Sequence, residues 1–231
     1  MSLNKRKKSL LISTISGNPR SIFEDLQLAE LNGIGGIHFD VMDGIFVPRL
    51  GLYPELLSEI KASTNLKIEV HRMLDSAVPY IERFVDAGAD HFLFHLESKD
   101  NLNLLLDKVY QTSASVGLVL NPQTDISYVA PYIENIKSIT LMAINPGVPR
   151  HPMIESTFDK LTKLRNLVDS AAIQDVTISI DGGVTFQNCD RLFELGADSL
   201  VCGSGTIFNR ENEIIANLHK LKMILAKYNA N

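Results

Sequence analysis

The sequence predicts an eight-stranded (β/α) barrel filling residues 1–231 as one domain. Three observations predict it. Short β-branched runs alternate with longer stretches of helical period to the end of the chain, with no Pro/Ser-rich linker between them. Eight such runs are present, the number that closes a parallel barrel. One phrase also recurs where a helix hands over to a strand: Ala87-Gly88-Ala89-Asp90 before His91, and Leu195-Gly196-Ala197-Asp198 before Ser199. In each, glycine suits the left-handed residue that ends a helix, and the recurrence fits repeated βα units. A doubly wound open sheet uses the same elements and is the structural alternative.

In chain order, residues 1–8 are expected to be a flexible basic start (Lys5, Arg6, Lys7, Lys8), with Met1 to Leu3 set aside as an expression remnant. Strands are expected near 10–16, 36–41, 66–72, 91–96, 115–120, 138–144, 176–181 and 199–203. Ile22, Leu26 and Leu31 lie near helical spacing over 22–31, and Ile81, Phe84 and Val85 over 80–85. Asn32-Gly33-Ile34-Gly35-Gly36 repeats the helix-ending glycine in looser form.

Composition narrows the partners. Hydrophobic residues make up 45% of the chain and the formal net charge is −5 with both signs interspersed, so no basic surface for nucleic acid is implied. A small anionic ligand would need a local positive site. The apolar run Leu10 to Ile12 is too short for a signal peptide, and no stretch approaches the roughly 20 apolar residues of a membrane span. Two lone cysteines, Cys189 and Cys202, make no disulfide framework, which leaves a reducing cytoplasm as the expected compartment.

The chemistry concentrates at strand ends. In His38-Phe39-Asp40-Val41-Met42-Asp43-Gly44, alternation puts His38, Asp40 and Met42 on one face at the end where barrel enzymes place catalysis. Glu69-Val70-His71-Arg72-Met73 repeats the arrangement on the next strand, and Ser179-Ile180-Asp181-Gly182-Gly183 ends a later one in a third polar residue. Two imidazoles and two carboxylates form a set that zinc, iron, manganese or cobalt accepts. His91 and His95 share one strand face, but a strand histidine is more often a core or supporting group, and neither is expected among the ligands.

From Ser13 to Phe208 the chain resembles the ribulose-phosphate 3-epimerase family, through His-x-Asp-x-Met-Asp-Gly, Val-His-x-Met, Asn-Pro-Gly, Asp-Gly-Gly and Gly-Ser in order. The resemblance implies a ribulose-phosphate-binding barrel and a divalent metal held by His38, Asp40, His71 and Asp181. It further implies Asp40 and Asp181 as the acid/base pair, contacts to substrate from Ser13 and His71, and Met42, Met73 and Met142 lining the site. A homo-oligomer acting on a small sugar phosphate, D-ribulose 5-phosphate, is expected. Inverting the carbon beside a ketone removes a proton from one face and returns one to the other, so two acid/base groups are needed. A divalent cation would hold the enediolate charge. Phosphate has candidate donors in Gly182 and Gly183 after the seventh strand and in Gly203 and Ser204 after the eighth, where many barrels bind it on backbone N–H groups.

The substrate loops depart from the family pattern. After Asn145-Pro146-Gly147 the family continues Phe-Gly-Gly-Gln, whereas this chain has Val148-Pro149-Arg150-His151-Pro152; each proline removes a backbone donor. Arg150 is expected to replace the lost donors with a guanidinium fork, or else to be a solvated charge. Pro48-Arg49-Leu50-Gly51-Leu52 stands where the family has Asn-Ile-Thr-Phe-Gly, and Ser179 where an acid is common. Three readings stay open beside the epimerase. One is the same chemistry on another ketose phosphate, such as allulose 6-phosphate. Another is a decarboxylase with an Asp-x-Lys-x-x-Asp cluster, for which Val41 and Met42 stand where the lysine is needed. The third is a catalytically silent phosphate-binding barrel.

Overall fold

The computed structural model describes residues 6–171 and 175–229. Eight strands run in sequence order around a closed parallel barrel: β1 (Ser9–Ser13), β2 (Gly36–Met42), β3 (Lys67–Met73), β4 (His91–His95), β5 (Ser115–Leu120), β6 (Ser138–Met142), β7 (Thr177–Asp181) and β8 (Ser199–Cys202). Pairing of Ser9 with Ser199 through Ile12 with Cys202 closes the ring and rules out the open sheet. The helices are α1 (Ile22–Leu31), α2 (Pro54–Ser63), α3 (Ile81–Asp86), α4 (Leu102–Tyr110), α5 (Ser156–Ser170), α6 (Cys189–Glu194) and α7 (Ile214–Asn229). None of the described helices is long and apolar enough to cross a membrane.

The main core lies between strands and helices. Ile37, Phe39 and Val41 alternate with the inward His38, Asp40 and Met42, and Phe39 meets the Phe84 ring of α3 at 6.5 Å. Burying each such side chain stabilises the fold by about 1.5 to 3 kcal/mol. The recurring phrase has one physical role at both sites. Gly88 and Gly196 take φ of 102° and 108°, and Asp90 and Asp198 each accept the N–H of a neighbouring strand, Ile68 at 3.0 Å and Ile178 at 2.9 Å. Each aspartate is then neutralised by cations, Lys61 and Lys67 for Asp90, Arg165 and Lys8 for Asp198.

Several expected boundaries are corrected. β1 stops at Ser13 because Thr14–Ser16 winds into a 3-10 turn, where the Thr14 hydroxyl donates to the His38 carbonyl at 3.1 Å. β6 ends at Met142 rather than 144. Leu31 is 80% exposed and Ala29 takes its expected place on the buried stripe of α1. Between β5 and β6 stands a 3-10 segment, Ile126–Asn135, with Pro131 inside it, where a barrel would ordinarily carry an α-helix. Of the basic start, residues 1–5, with Lys5 and Met1 to Leu3, lie outside the described residues. Arg6 donates to the Val176 carbonyl and Lys8 to the Ala197 carbonyl, so both are tied to the barrel rather than loose.

Candidate metal and substrate site

Strand pairing assembles the cluster. β2 and β3 align His38 with Glu69 and Asp40 with His71, and Asp181 is the last residue of β7. The four side chains expected from the sequence converge, one ligand atom from each lying within 4.8 Å of the others. Nε2 of His38 is 3.2 Å from Oδ1 of Asp40, 3.5 Å from Oδ2 of Asp181 and 3.1 Å from Nδ1 of His71. That Nδ1 lies 3.3 Å from the same oxygen of each aspartate. A tetrahedron with ligands at about 2.0 to 2.1 Å has edges of roughly 3.3 Å, so these spacings fit a four-coordinate divalent ion.

Hydrogen-bond geometry supports the fit. Glu69 Oε1 lies 2.5 Å from Nδ1 of His38, which must donate to it and so leaves Nε2 as the nitrogen that would offer its lone pair to a cation. Both imidazoles are fully buried. Burial pushes their pKa values down, but Asp40 and Asp181 outweigh it and hold both above the ordinary imidazole value, His38 well above. Burial likewise raises the two carboxyls, yet the facing imidazoles bring both below their usual range, Asp181 furthest. The site therefore favours positive charge at its centre.

Asp40 and Asp181 of the cluster line a cavity of about 980 Å³ at the C-terminal ends of the strands, with His38 and His71 buried behind them. Ser13, Met42, Met73 and Met142 line it, and the Ser13 hydroxyl donates to Oδ2 of Asp40 at 3.3 Å. Gly147, Arg150, Gly182, Gly183, Gly203 and Ser204 line it as well. Gly182 and Gly183 are left-handed at φ 95° and 64°, and a Cβ on Gly183 would lie 2.7 Å from the Met153 nitrogen. The N–H groups of Gly183, Val184, Ser204 and Gly205 find no acceptor among the described residues. The two loops touch, since a Cβ on Gly205 would meet the Val184 carbonyl at 2.4 Å. Unpaired backbone donors on adjoining loops suit an anion.

Asp43 is not part of this chemistry. Its carboxylate accepts the N–H groups of Ile45 and Phe46 at 2.8 Å and that of Asp75 at 2.7 Å, fixing the turn after β2. Val47, beyond that turn, is buried against the backbone after β6, where a Cβ on Gly147 would lie 2.6 Å from its Cβ. Arg150 is exposed, with φ at 60°, a left-handed conformation that costs a non-glycine residue about 1 kcal/mol or more. Sequence reasoning missed two contributors, Arg49, which lines the cavity from the turn after β2, and Glu69, which orients His38. His95 is outside the four-residue cluster, as expected of a supporting group, with its Nε2 2.8 Å from Nε2 of His71. Alternation along β4 puts His95 on the inward face, but only strand register reveals the His71 contact.

The Ribulose-phosphate 3 epimerase family matches residues 9–208. Ribulose-phosphate 3-epimerase of Aquifex aeolicus (strain VF5) is 33% identical, covering 94% of this chain and 97% of its own. The Escherichia coli (strain K12) enzyme of the same name is 32% identical over 83% and 85%. Among solved structures, a ligand complex of KGPDC from Streptococcus mutans superposes with a TM-score of 0.75 over 97% of this chain and 100% of its own. At 10% identity it supports the barrel alone. Sequence relatedness over nearly the whole chain, on a barrel with this cluster at its mouth, shows that the protein belongs to the ribulose-phosphate 3-epimerase family of carbohydrate epimerases.

Proposed function

We propose that this chain epimerises a ketose phosphate at C3, interconverting D-ribulose 5-phosphate and D-xylulose 5-phosphate, with Asp40 and Asp181 as the proton-transfer pair. The observation that carries this reading is that the ligand cluster and the two loops of free N–H groups open into one cavity. A ketose placed there has its phosphate on Gly183, Val184, Ser204 and Gly205 and its carbonyl end over the cluster. Asp40 and Asp181 come from strands separated by β8 and β1, so each approaches a different side of the bound sugar. One takes the C3 proton and the other returns a proton to the opposite face. Ser13 holds Asp40 by its outer oxygen, leaving the inner one to the cluster.

His38, Asp40, His71 and Asp181 would hold a divalent ion (zinc, iron, manganese or cobalt), which when bound would supply Lewis-acid stabilisation of negative charge on the substrate. Asp40 and Asp181, both held below the usual carboxylate range by the facing imidazoles, are weak bases, and a bound cation would lessen the demand on them by acidifying the carbon-bound proton. Met42, Met73 and Met142 present apolar, polarisable walls that keep water from the reacting carbon. A six-carbon ketose phosphate such as allulose 6-phosphate is the second reading, favoured by the loop at residues 148–152, whose prolines and exposed Arg150 change the rim. Assay of metal-loaded protein against a panel of ketose phosphates decides between them. The first reading predicts the highest kcat/KM on ribulose 5-phosphate; faster turnover of the six-carbon sugar would replace it, and no turnover of any would remove both.

A further inference from the structure

Each histidine of the cluster must keep a lone pair on one named nitrogen, and the two are fixed in different ways. Nδ1 of His38 donates directly to a carboxylate, Glu69, at 2.5 Å. His71 has no such carboxylate behind it. Its Nε2 faces Nε2 of His95 at 2.8 Å, and the two planes differ by 17°. With the ring radius added on each side, that gap accounts for the 5.0 Å between centroids, so the rings meet edge to edge and share one in-line proton. Nδ1 of His95 in turn faces Oε2 of Glu97 at 3.2 Å. The other Glu97 oxygen, Oε1, accepts the Asn121 N–H at 2.9 Å and the Thr124 hydroxyl.

We infer that Glu97, acting through His95, is a positioning residue that sets the tautomer of His71 and so makes its Nδ1 a metal ligand. A carboxylate can only accept, so the single ring proton of His95 sits on Nδ1, and its Nε2 offers a lone pair. His71 must then carry a proton on Nε2, which makes Nδ1 the nitrogen that would offer its lone pair to a cation between Asp40 and Asp181. The order of protons along the chain is set at its far end. His95 is buried at 1% exposure and its ring lies against Phe46, at 4.9 Å between centroids, so no solvent competes for either nitrogen.

The inference rests on the metal-binding reading above and sharpens it to one substitution. In Glu97→Gln the Asn121 N–H keeps the amide oxygen on its side, so the amide NH2 faces Nδ1 of His95. The proton order then reverses along both rings and puts a proton on Nδ1 of His71, where a cation would sit. Zinc affinity, measured by competition with a chromophoric chelator, is expected to fall roughly 10- to 100-fold, the range for loss of a group that orients a ligand. The 15N shifts of the imidazoles in metal-free protein are expected to show His95 switching from its Nδ1–H to its Nε2–H form. Thr124→Val removes a donor to the same carboxylate without changing what faces His95, and should leave both readouts in place. Unchanged affinity and tautomer in Glu97→Gln would overturn the inference, as would an equal loss in Thr124→Val. Wild-type protein that binds no zinc would instead overturn the metal reading, while the nitrogen shifts still report the proton order.

Discussion

His38, Asp40 and His71 sit inside strands, each buried and each tied to a neighbour on the next strand, whereas Arg150 rides an exposed, proline-bounded loop with a left-handed backbone and no ion-pair partner among the described residues. Asp40 from the first and Arg150 from the second line one cavity. The first has its geometry set by register and packing, which leaves the four ligand atoms little freedom to move. The second contributes a long side chain whose position is set by one turn. Under the proposed function the difference separates what the site would do from what it would accept: proton transfer would fall to the rigid wall, and the choice of sugar phosphate to the rim.

Substitution at the rigid wall should have the largest effect. Asp181→Asn is expected to lower turnover by more than the roughly 10² to 10⁴ usual for one acid/base group, because it also weakens the metal site. Turnover and bound metal measured together check this, and near-normal epimerisation would take Asp181 out of the mechanism. At the rim, Arg150→Ala should raise KM roughly ten- to a hundredfold, equivalent to about 1.5 to 3 kcal/mol, and leave metal content unchanged. Inorganic phosphate is the discriminating inhibitor. If neither KM nor phosphate inhibition moves, Arg150 is a solvated charge and the loops after β7 and β8 hold the anion without it. Arg150→Gly should lose the same affinity yet be more stable than Arg150→Ala by about 1 kcal/mol, since glycine adopts φ of 60° without strain, and denaturant midpoints test that.

The smallest effect concerns the opposite end of the barrel. His91 lies between the Ser115 and Ser138 hydroxyls, at 2.7 Å from each, in space left by Gly117, where a Cβ would come 2.9 Å from its ring. Burial holds its pKa below the ordinary imidazole value, with Glu69 opposing weakly. The unfolded chain therefore binds a proton that the folded chain refuses, and stability falls as pH drops below about 6.5 until the folded value is reached. His91→Gln should flatten that part of the pH–stability curve, and an unchanged acid limb would show that other groups set it.

Much of the fold was legible because its signals are local. The Gly-Ala-Asp phrase carries its own geometry, a left-handed glycine followed by an aspartate that accepts a neighbouring strand's N–H, so two copies implied repeated units. The convergence of His38, Asp40, His71 and Asp181 was legible because strand alternation fixes which residues share a face. Glu97 was not, since its effect on His71 passes through His95 and depends on the β3–β4 register and on a turn after β4. Leu31 was misplaced because Ala29, small and one turn past Leu26, fits the buried stripe where a leucine was expected to count. The 3-10 segment before β6 was likewise hidden, although Pro131 within it removes the donor that an α-helix would use.

The central claim is that the buried cluster makes a sugar carbon exchange its proton. Metal-loaded protein incubated with ribulose 5-phosphate in deuterium oxide tests it most directly, with C3 followed by NMR. The account predicts xylulose 5-phosphate carrying solvent deuterium at C3, and loss of that incorporation in Asp40→Asn and Asp181→Asn. Conversion with C3 keeping its original hydrogen, or no exchange at C3 by protein shown to hold its metal, would contradict it.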